Sequence, residues 1–231
     1  MASPPDRSRR PKPKAQKPAA RRPAIFIVGS GSQARYVIDI VNATGSHRPA
    51  GIADLESAAN LGREINGVTI RCLLDGIVKV FPPKSGEIVV AYGNVRRKEE
   101  VVARLADAGY RFATVVHPLA WISPTASIGS GSIVNPYATV MPQARVGSHV
   151  ILHSQVNVDH DCVIGDHSNL APGVTLAGGV VVGAGVTIYT GANVLPRLTI
   201  GDHAVIGAGA LIHRDVAPGA TMAGVPARPT R

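Results

Sequence analysis

From Ile122 onward an aliphatic residue returns at every sixth position: Ile122, Ile128, Val134, Val140, Val146, Leu152, Val158, Ile164, Leu170, Leu176, Val182, Ile188, Val194, Ile200, Ile206 and Ile212. No insertion breaks the register. Four residues after each of these the chain is mostly small or aliphatic, as at Ala126, Ser132, Ala138, Val150 and Cys162, and glycine commonly follows the register residue itself. An α-helix cannot use this pattern, because apolar residues six apart wander around its surface and frequent glycine opposes it. A solenoid can. Each six-residue unit reads as a short strand and a corner, three units close a triangular coil, and the register residues stack in internal ladders. Burying each aliphatic side chain is worth roughly 1.5 to 3 kcal/mol, so a one-residue slip that exposed a ladder is strongly opposed.

The pattern before residue 118 is different. Residues 24–28 (AIFIV) form an apolar strand, Gly29 and Gly31 turn the chain, and Tyr36, Val37, Ile40 and Val41 recur at helical spacing. Further strands are predicted near 49–53, ending at Asp54, at 87–91, ending before Gly93-Asn94, and at 111–116, with a helix over 95–108. Alternating strands and helices imply a parallel sheet, so residues 23–117 read as a Rossmann-like α/β domain and 118–231 as the β-solenoid.

The stretch Gly29-Ser30-Gly31-Ser32-Gln33-Ala34 fits the glycine-rich turn of dinucleotide sites, and Asp54 lies where an acid would hold a ribose. A dehydrogenase is one reading. The region is too short to hold a second mononucleotide-binding half, so one nucleotide fits better than two. Gly29, Ser30, Gly31, Ser32, Gln33, Asp54, Gly93 and Asn94 all fall at carboxyl ends of strands, where ligands of open parallel sheets bind, and are expected to converge on one crevice. The plainer alternative is that the glycines close a tight turn and Asp54 caps a loop.

Charge changes this picture little. The net charge of +9 suggests nucleic acid, but residues 1–22, Pro-rich and basic, carry +7 of it. That tail is expected to be a solvated, disordered extension. The rest is close to neutral, so neither nucleic-acid binding nor stable membrane association is expected. No apolar run is long enough to span a bilayer, and a cytoplasmic protein is expected. Cys72 and Cys162 fall in different domains, which argues against a disulfide.

Six stretches in order, GSGSQARYVIDIV, AYGNVRRKEEV, VVHPLAWISPTASIG, VNVDHDCVIGD, LAPGVTLAGGVVVG and AGVPARP, resemble the hexapeptide-repeat sugar acetyltransferases: the bacterial nucleotide-linked amino-sugar N-acetyltransferases and the sialic acid O-acetyltransferases. The resemblance implies a left-handed parallel β-helix, acetyl-CoA as co-substrate, no metal, and a homotrimer with active sites between subunits. It assigns His160 as catalytic base, with Asp161 at the position of the acid that orients it. Asp159 is the other neighbouring acid, and sequence does not choose between them. A histidine titrates near neutrality, and a carboxylate bonded to it fixes its tautomer and supports the charge it gains.

Gly178 follows His160 by one coil length, and the resemblance makes its N–H the oxyanion donor. It further implies acetyl-CoA contacts at Asn169, Gly178 and Gly179, with Gly224, Pro226 and Arg228 near the adenine end, and a nucleotide-sugar in the first domain. Two departures stand out. Gln33 occupies a loop position where histidine is common, with Ser32 in place of a glycine, and Asn169 replaces a second histidine.

The remaining solenoid histidines, His149, His153, His167, His203 and His213, read as solvated surface. A trimeric zinc enzyme of the γ carbonic anhydrase type is disfavoured because no histidine pair has the five-residue spacing that its ligand set requires. In order, the readings are an amino-sugar N-acetyltransferase acting on a UDP- or GDP-linked sugar, a sugar O-acetyltransferase of the sialic acid type, and a non-enzymatic nucleotide-binding scaffold.

Overall fold

The computed structural model describes residues 22–230, so the basic tail lies outside the described residues except for Arg22. The first domain runs β1 (Ala24–Val28), α1 (Ser32–Thr44), β2 (Arg48–Asp54), β3 (Glu64–Ile65), β4 (Val68–Leu73), α2 (Ile77–Val80), β5 (Glu87–Val90) and α3 (Val95–Asp107). Its sheet has the order β3-β4-β2-β1-β5, parallel except for β3 against β4. Both faces are covered: Ile25, Phe26, Ile27 and Val28 have no exposed surface. Such a strand reads as an unbroken apolar run instead of an alternating one.

Two segments differ from the sequence reading. The β3–β4 hairpin and α2 emerge from a stretch of mixed polarity that carries no clear periodicity. Residues 111–116 do not form one strand. Phe112 makes a single bridge to Ile88, whereas β6 (Val115–Val116) pairs with Ile133–Val134 and so belongs to the solenoid.

The solenoid is a left-handed parallel β-helix of two-residue strands. Thr139–Val140 pairs with Trp121–Ile122 on one side and Asn157–Val158 on the other, and this eighteen-residue stacking repeats along three sheets. The first face contains Ile133–Val134, Ile151–Leu152, Asn169–Leu170 and Thr187–Ile188; the second contains Asn157–Val158 and Thr175–Leu176; the third contains Val163–Ile164 and Val181–Val182. In each pair the register residue points inward. Val140, Leu152, Val158, Leu170, Leu176 and Ile188 are wholly buried.

Three residues past each register position the backbone turns with positive φ, at every corner from Gly131 to Gly209. Glycine adopts this conformation without steric cost, yet His149, Asp161, His167, Arg197 and His203 hold it too. Those side chains are thrown outward at the edges of the prism.

The outward positions of the first face explain how the domains join. Val115, Ile133 and Ile151 are apolar and share one buried cluster with Ile25, Val37 and Ile38 of the first domain. The next outward residues, Asn169 and Thr187, are polar, and the head domain ends over them. At the far end Thr221–Ala223 extends the first face and Arg228–Pro229 folds back on it. Met222 and Ala227 thereby close the bottom of the core. Cys72 and Cys162 are free and buried, one in each domain. Among the described residues no helix is long and apolar enough to cross a membrane.

Candidate active site

His160 lies at the edge between the second and third faces. Asp161 occupies the left-handed corner there (φ 60°), which swings its carboxylate back onto the imidazole: Nδ1 and Oδ2 are 2.8 Å apart. Asp159 is engaged differently, since its Oδ1 accepts the backbone N–H of His160 at 2.7 Å. Asp161 is therefore the acid on the ring, and Asp159 the acid that holds the backbone. The bond to Asp161, followed by the charge of Asp159, raises the imidazole pKa above its ordinary value. With Nδ1–H donating to Asp161, the lone pair sits on Nε2.

Nε2 faces Gly178 on the adjacent coil. A Cβ at Gly178 would lie 2.5 Å from Nε2, so this glycine is required for space. Its φ is not in the left-handed region. The N–H groups on either side are used, Ala177 donating to Val194 O at 3.1 Å and Gly179 to His160 O at 2.9 Å. The Gly178 N–H has no partner among the described residues. An open cavity of about 390 Å³ joins Asp159, His160, Ala177, Gly178, Pro196 and Arg197.

A second cavity, of about 680 Å³, lies where the head domain meets the first face; Gln33, Gly93, Asn94, His153, Asn169 and Tyr189 contribute to its walls. Gly29 does not line it but turns the chain between β1 and α1: it holds φ 111°, and a Cβ there would stand 2.6 Å from Ala91 O. Gly31 is the N-cap of α1 and supplies no capping side chain, which leaves the first turn of the helix open to an anion. Asn94 caps α3, accepting from Arg97 N at 3.0 Å. His153 Nε2 lies 3.4 Å from Gln33 Nε2 and 3.2 Å from Asn169 Oδ1, and Asn169 Nδ2 donates to Gly93 O at 3.3 Å. At this cavity the head domain and the β-helix are linked by a polar chain.

The convergence expected of the glycine-loop residues is only partial. Gln33, Gly93 and Asn94 line this cavity, but Asp54 does not and is not free to hold a ribose. Its carboxylate is buried and accepts from Ser30 Oγ, from Glu56 N at 2.7 Å, from Ser57 N at 2.8 Å and from Asn60 Nδ2 at 2.9 Å. Burial opposes the charge, yet these donors outweigh it and lower the pKa to about 2. Asp54 ties Ser30 and the Gly29 turn to the end of β2.

The model of the bacterial transferase hexapeptide (six repeats) matches residues 143–178 and 179–214, and that of the PglD N-terminal domain matches 24–105. A search of curated proteins gives no significant match. Among solved structures, PerB from Caulobacter crescentus, in complex with CoA and GDP-perosamine, is 29% identical with a TM-score of 0.84, over 90% of this chain and 97% of PerB. The acetyltransferase domain of PglB from Neisseria gonorrhoeae FA1090, in complex with acetyl coenzyme A, is 30% identical with a TM-score of 0.83, over 90% of this chain and all of that domain. The chain belongs to the hexapeptide-repeat sugar acetyltransferases. WeeI from Acinetobacter baumannii AYE gives 27% identity and a TM-score of 0.80, covering 90% of this acetyltransferase and 99% of WeeI.

In this acetyltransferase Asn169 is not beside His160, contrary to the acetyl-side contact expected for it. It projects from the first face into the head-domain cavity, across the prism from the edge that carries His160. The other solenoid histidines also need correction, since several are not solvated surface. His149 and His167 stack one coil apart along the edge that α3 covers, and His203, two coils further on, stays exposed. His149 is buried, its ring 5.1 Å from that of His167 and edge-on to Phe112, and its carbonyl accepts from the buried Lys98 Nζ at 2.8 Å.

Burial lowers the pKa of His149 to about 4 and that of Lys98 to about 7, and it lowers those of His153 and His167 too. His203 Nδ1 lies 4.0 Å from Glu99 Oε1, and His213 lies 3.3 Å from Arg228 Nη1. The spacing of 149, 167 and 203 by whole coils was visible in the sequence, but which edge the head domain covers was not. Among the described residues no three His, Cys, Asp or Glu side chains gather as a metal site.

Proposed function

We propose that this acetyltransferase transfers the acetyl group of acetyl-CoA to the amino group of a nucleotide-linked amino sugar, with His160 as general base. The observation that carries the reading is the stacking of His160 Nε2 against Gly178, with Nδ1 bonded to Asp161 and the Gly178 N–H unclaimed. The amine nitrogen attacks the thioester carbon and its proton passes to Nε2. The developing oxyanion accepts from Gly178 N–H, as acyl transfer requires of a donor near the base. Collapse of the intermediate breaks the C–S bond, and CoA leaves as the thiol with the proton from His160.

The nucleotide diphosphate suits the head cavity, where α1 and α3 both begin and Arg96 adds a positive charge. CoA and GDP-perosamine bound to PerB, and acetyl coenzyme A bound to the acetyltransferase domain of PglB, support both halves of this assignment. Asn169, Gly178 and Gly179 are proposed on the acetyl-CoA path, and Gly224, Pro226 and Arg228 at its adenine end.

The two cavities lie on opposite sides of one prism, so a sugar held in the head cavity reaches the base of another copy. A homotrimer, in which the first face of one chain meets the His160 edge of the next, accounts for this separation. It also returns Asn169 to the reaction from the neighbouring chain.

The test is CoA thiol release from acetyl-CoA against UDP- and GDP-linked 4-amino-4,6-dideoxy sugars, with sialic acid as a control. Release with one amino sugar, lost in His160→Ala, is the expected result and names the nucleotide. Release with sialic acid alone would turn the assignment to O-acetylation, and silence with every acceptor would leave a binding scaffold.

A further inference from the structure

Arg197 stands two coils beyond Asp161 on the same edge. Like Asp161 it occupies the left-handed corner position, at φ 61°, whereas Gly179 fills that position on the coil between them. Left-handed backbone is uncommon for residues other than glycine, with Asn, Asp and His enriched among the exceptions. Tyr137, Gln143 and Gln155 hold the same corner, so what marks Arg197 is where its side chain goes.

The side chain runs back toward His160. Its Cγ lies 3.3 Å from where a Cβ of Gly179 would be, so the arm passes over that bare glycine. Arg197 then lines the same cavity as Asp159, His160 and Gly178. Its backbone N–H donates to Gly178 O at 3.0 Å, which couples its corner to the oxyanion glycine. Among the described residues its guanidinium has neither an ion-pair nor a hydrogen-bond partner, although Asp159 lines the same cavity. An unpaired guanidinium facing a general base is an electrostatic device or a ligand contact.

The charges acting on His160 are Asp159, Asp161 and Arg197. Two carboxylates alone favour the imidazolium, and an imidazolium cannot accept a proton from an amine. Resting on the acetyl-transfer reading above, we propose that Arg197 is a positioning residue that partly offsets the two acids flanking His160 and so enlarges the fraction of it in the proton-accepting form. The effect of Arg197 on His160 runs in that direction, opposite to that of both acids.

The test follows the His160 imidazole by NMR titration between about pH 5 and pH 9 in the full-length protein, with its signal assigned by loss in His160→Asn. In Arg197→Gln the midpoint is expected to rise by roughly half to one pH unit, the size of a unit charge removed at several ångströms across a wet cavity. Arg197→Lys, which keeps the charge, is expected to leave it in place. Arg197→Gly suits the left-handed corner better than the native residue, so it keeps the fold while deleting the charge, and should repeat the shift.

With acetyl-CoA and GDP-perosamine as probes, the acid limb of kcat/KM should move by the same amount in Arg197→Gln while KM for acetyl-CoA holds. An unmoved midpoint in Arg197→Gln and Arg197→Gly overturns the proposal. A raised KM for acetyl-CoA with an unmoved midpoint makes Arg197 a CoA contact instead. Failure of the wild type to acetylate any amino sugar overturns the functional reading, and the titration still decides the role of Arg197.

Discussion

Two histidines on one β-helix, His160 and His149, sit eleven residues apart and differ in nearly everything that matters chemically. His160 stands on a free edge, about three-fifths exposed, with a carboxylate on Nδ1 that raises its pKa. His149 sits on the edge that α3 covers, is 7% exposed, and is pushed down to about 4 by burial, by His167 and by Lys98. Both sit at corners of the repeat, His149 on the left-handed position itself and His160 one residue before it. What separates them is the neighbouring residue and what docks on the edge, so chemistry on this scaffold is decided outside the ladder that folds it.

The comparison breaks most completely at the free edge. His160→Ala should lower turnover by roughly 10² to 10⁴-fold, the range for losing a general base, while the thermal midpoint stays within a degree or two of wild type. Steady-state kinetics alongside calorimetry would show this, and a mutant of comparable turnover removes His160 from the mechanism. Gly178→Ala keeps the N–H but places a methyl group on Nε2. Displacing the base by about 1 Å should cost roughly 10²-fold in kcat, with the fold preserved.

The covered edge should answer to pH in stability and not in turnover. His149 is held neutral in the folded protein while an unfolded histidine takes up a proton near 6.5, so the unfolded state binds more protons between about pH 6.5 and pH 4. Stability is full above that window and falls through it as pH drops, by about 2 kcal/mol from His149 once partial screening is allowed for. Urea unfolding at the two ends of the window measures the loss, and His149→Phe should shrink it.

Lys98→Met gives the smallest change at neutral pH. The lysine's folded pKa near 7 against an ordinary 10.5 makes stability rise with pH between those values. Lys98→Met should abolish that slope while staying within about 1 kcal/mol of wild type at neutral pH, because the lost bond to His149 O is offset by the removed desolvation.

Much of this was readable before any coordinates. The six-residue register is redundant, with every coil restating the last, so the core ladders and the pairing of Gly178 with His160 followed from counting. The glycine turn and the strands read at 24–28 and 87–91, the second ending at Val90, were legible because fully buried strands are unbroken apolar runs. Asp54 was misread because its place at a strand end fits a ligand contact and a loop latch equally well, and only the positions of Ser30, Glu56, Ser57 and Asn60 distinguish them. The choice between Asp159 and Asp161 needed the left-handed corner, which turns one carboxylate toward the ring and leaves the other on the backbone. The docking of the head domain was written in the outward residues of one face, Val115, Ile133 and Ile151, but it could be noticed only after the faces had been separated.

The three-sided coil also sets the arithmetic by which such a protein can change length. Six residues inserted between the head domain and His160 would leave every interior ladder intact, yet carry the base a third of a turn around the prism relative to the head. Eighteen would restore its bearing and slide it one strand spacing, about 4.8 Å, along the axis. The fold is indifferent to the first change and the proposed partnership between subunits is not, so on that reading the distance from the head cavity to His160 can evolve only in whole turns.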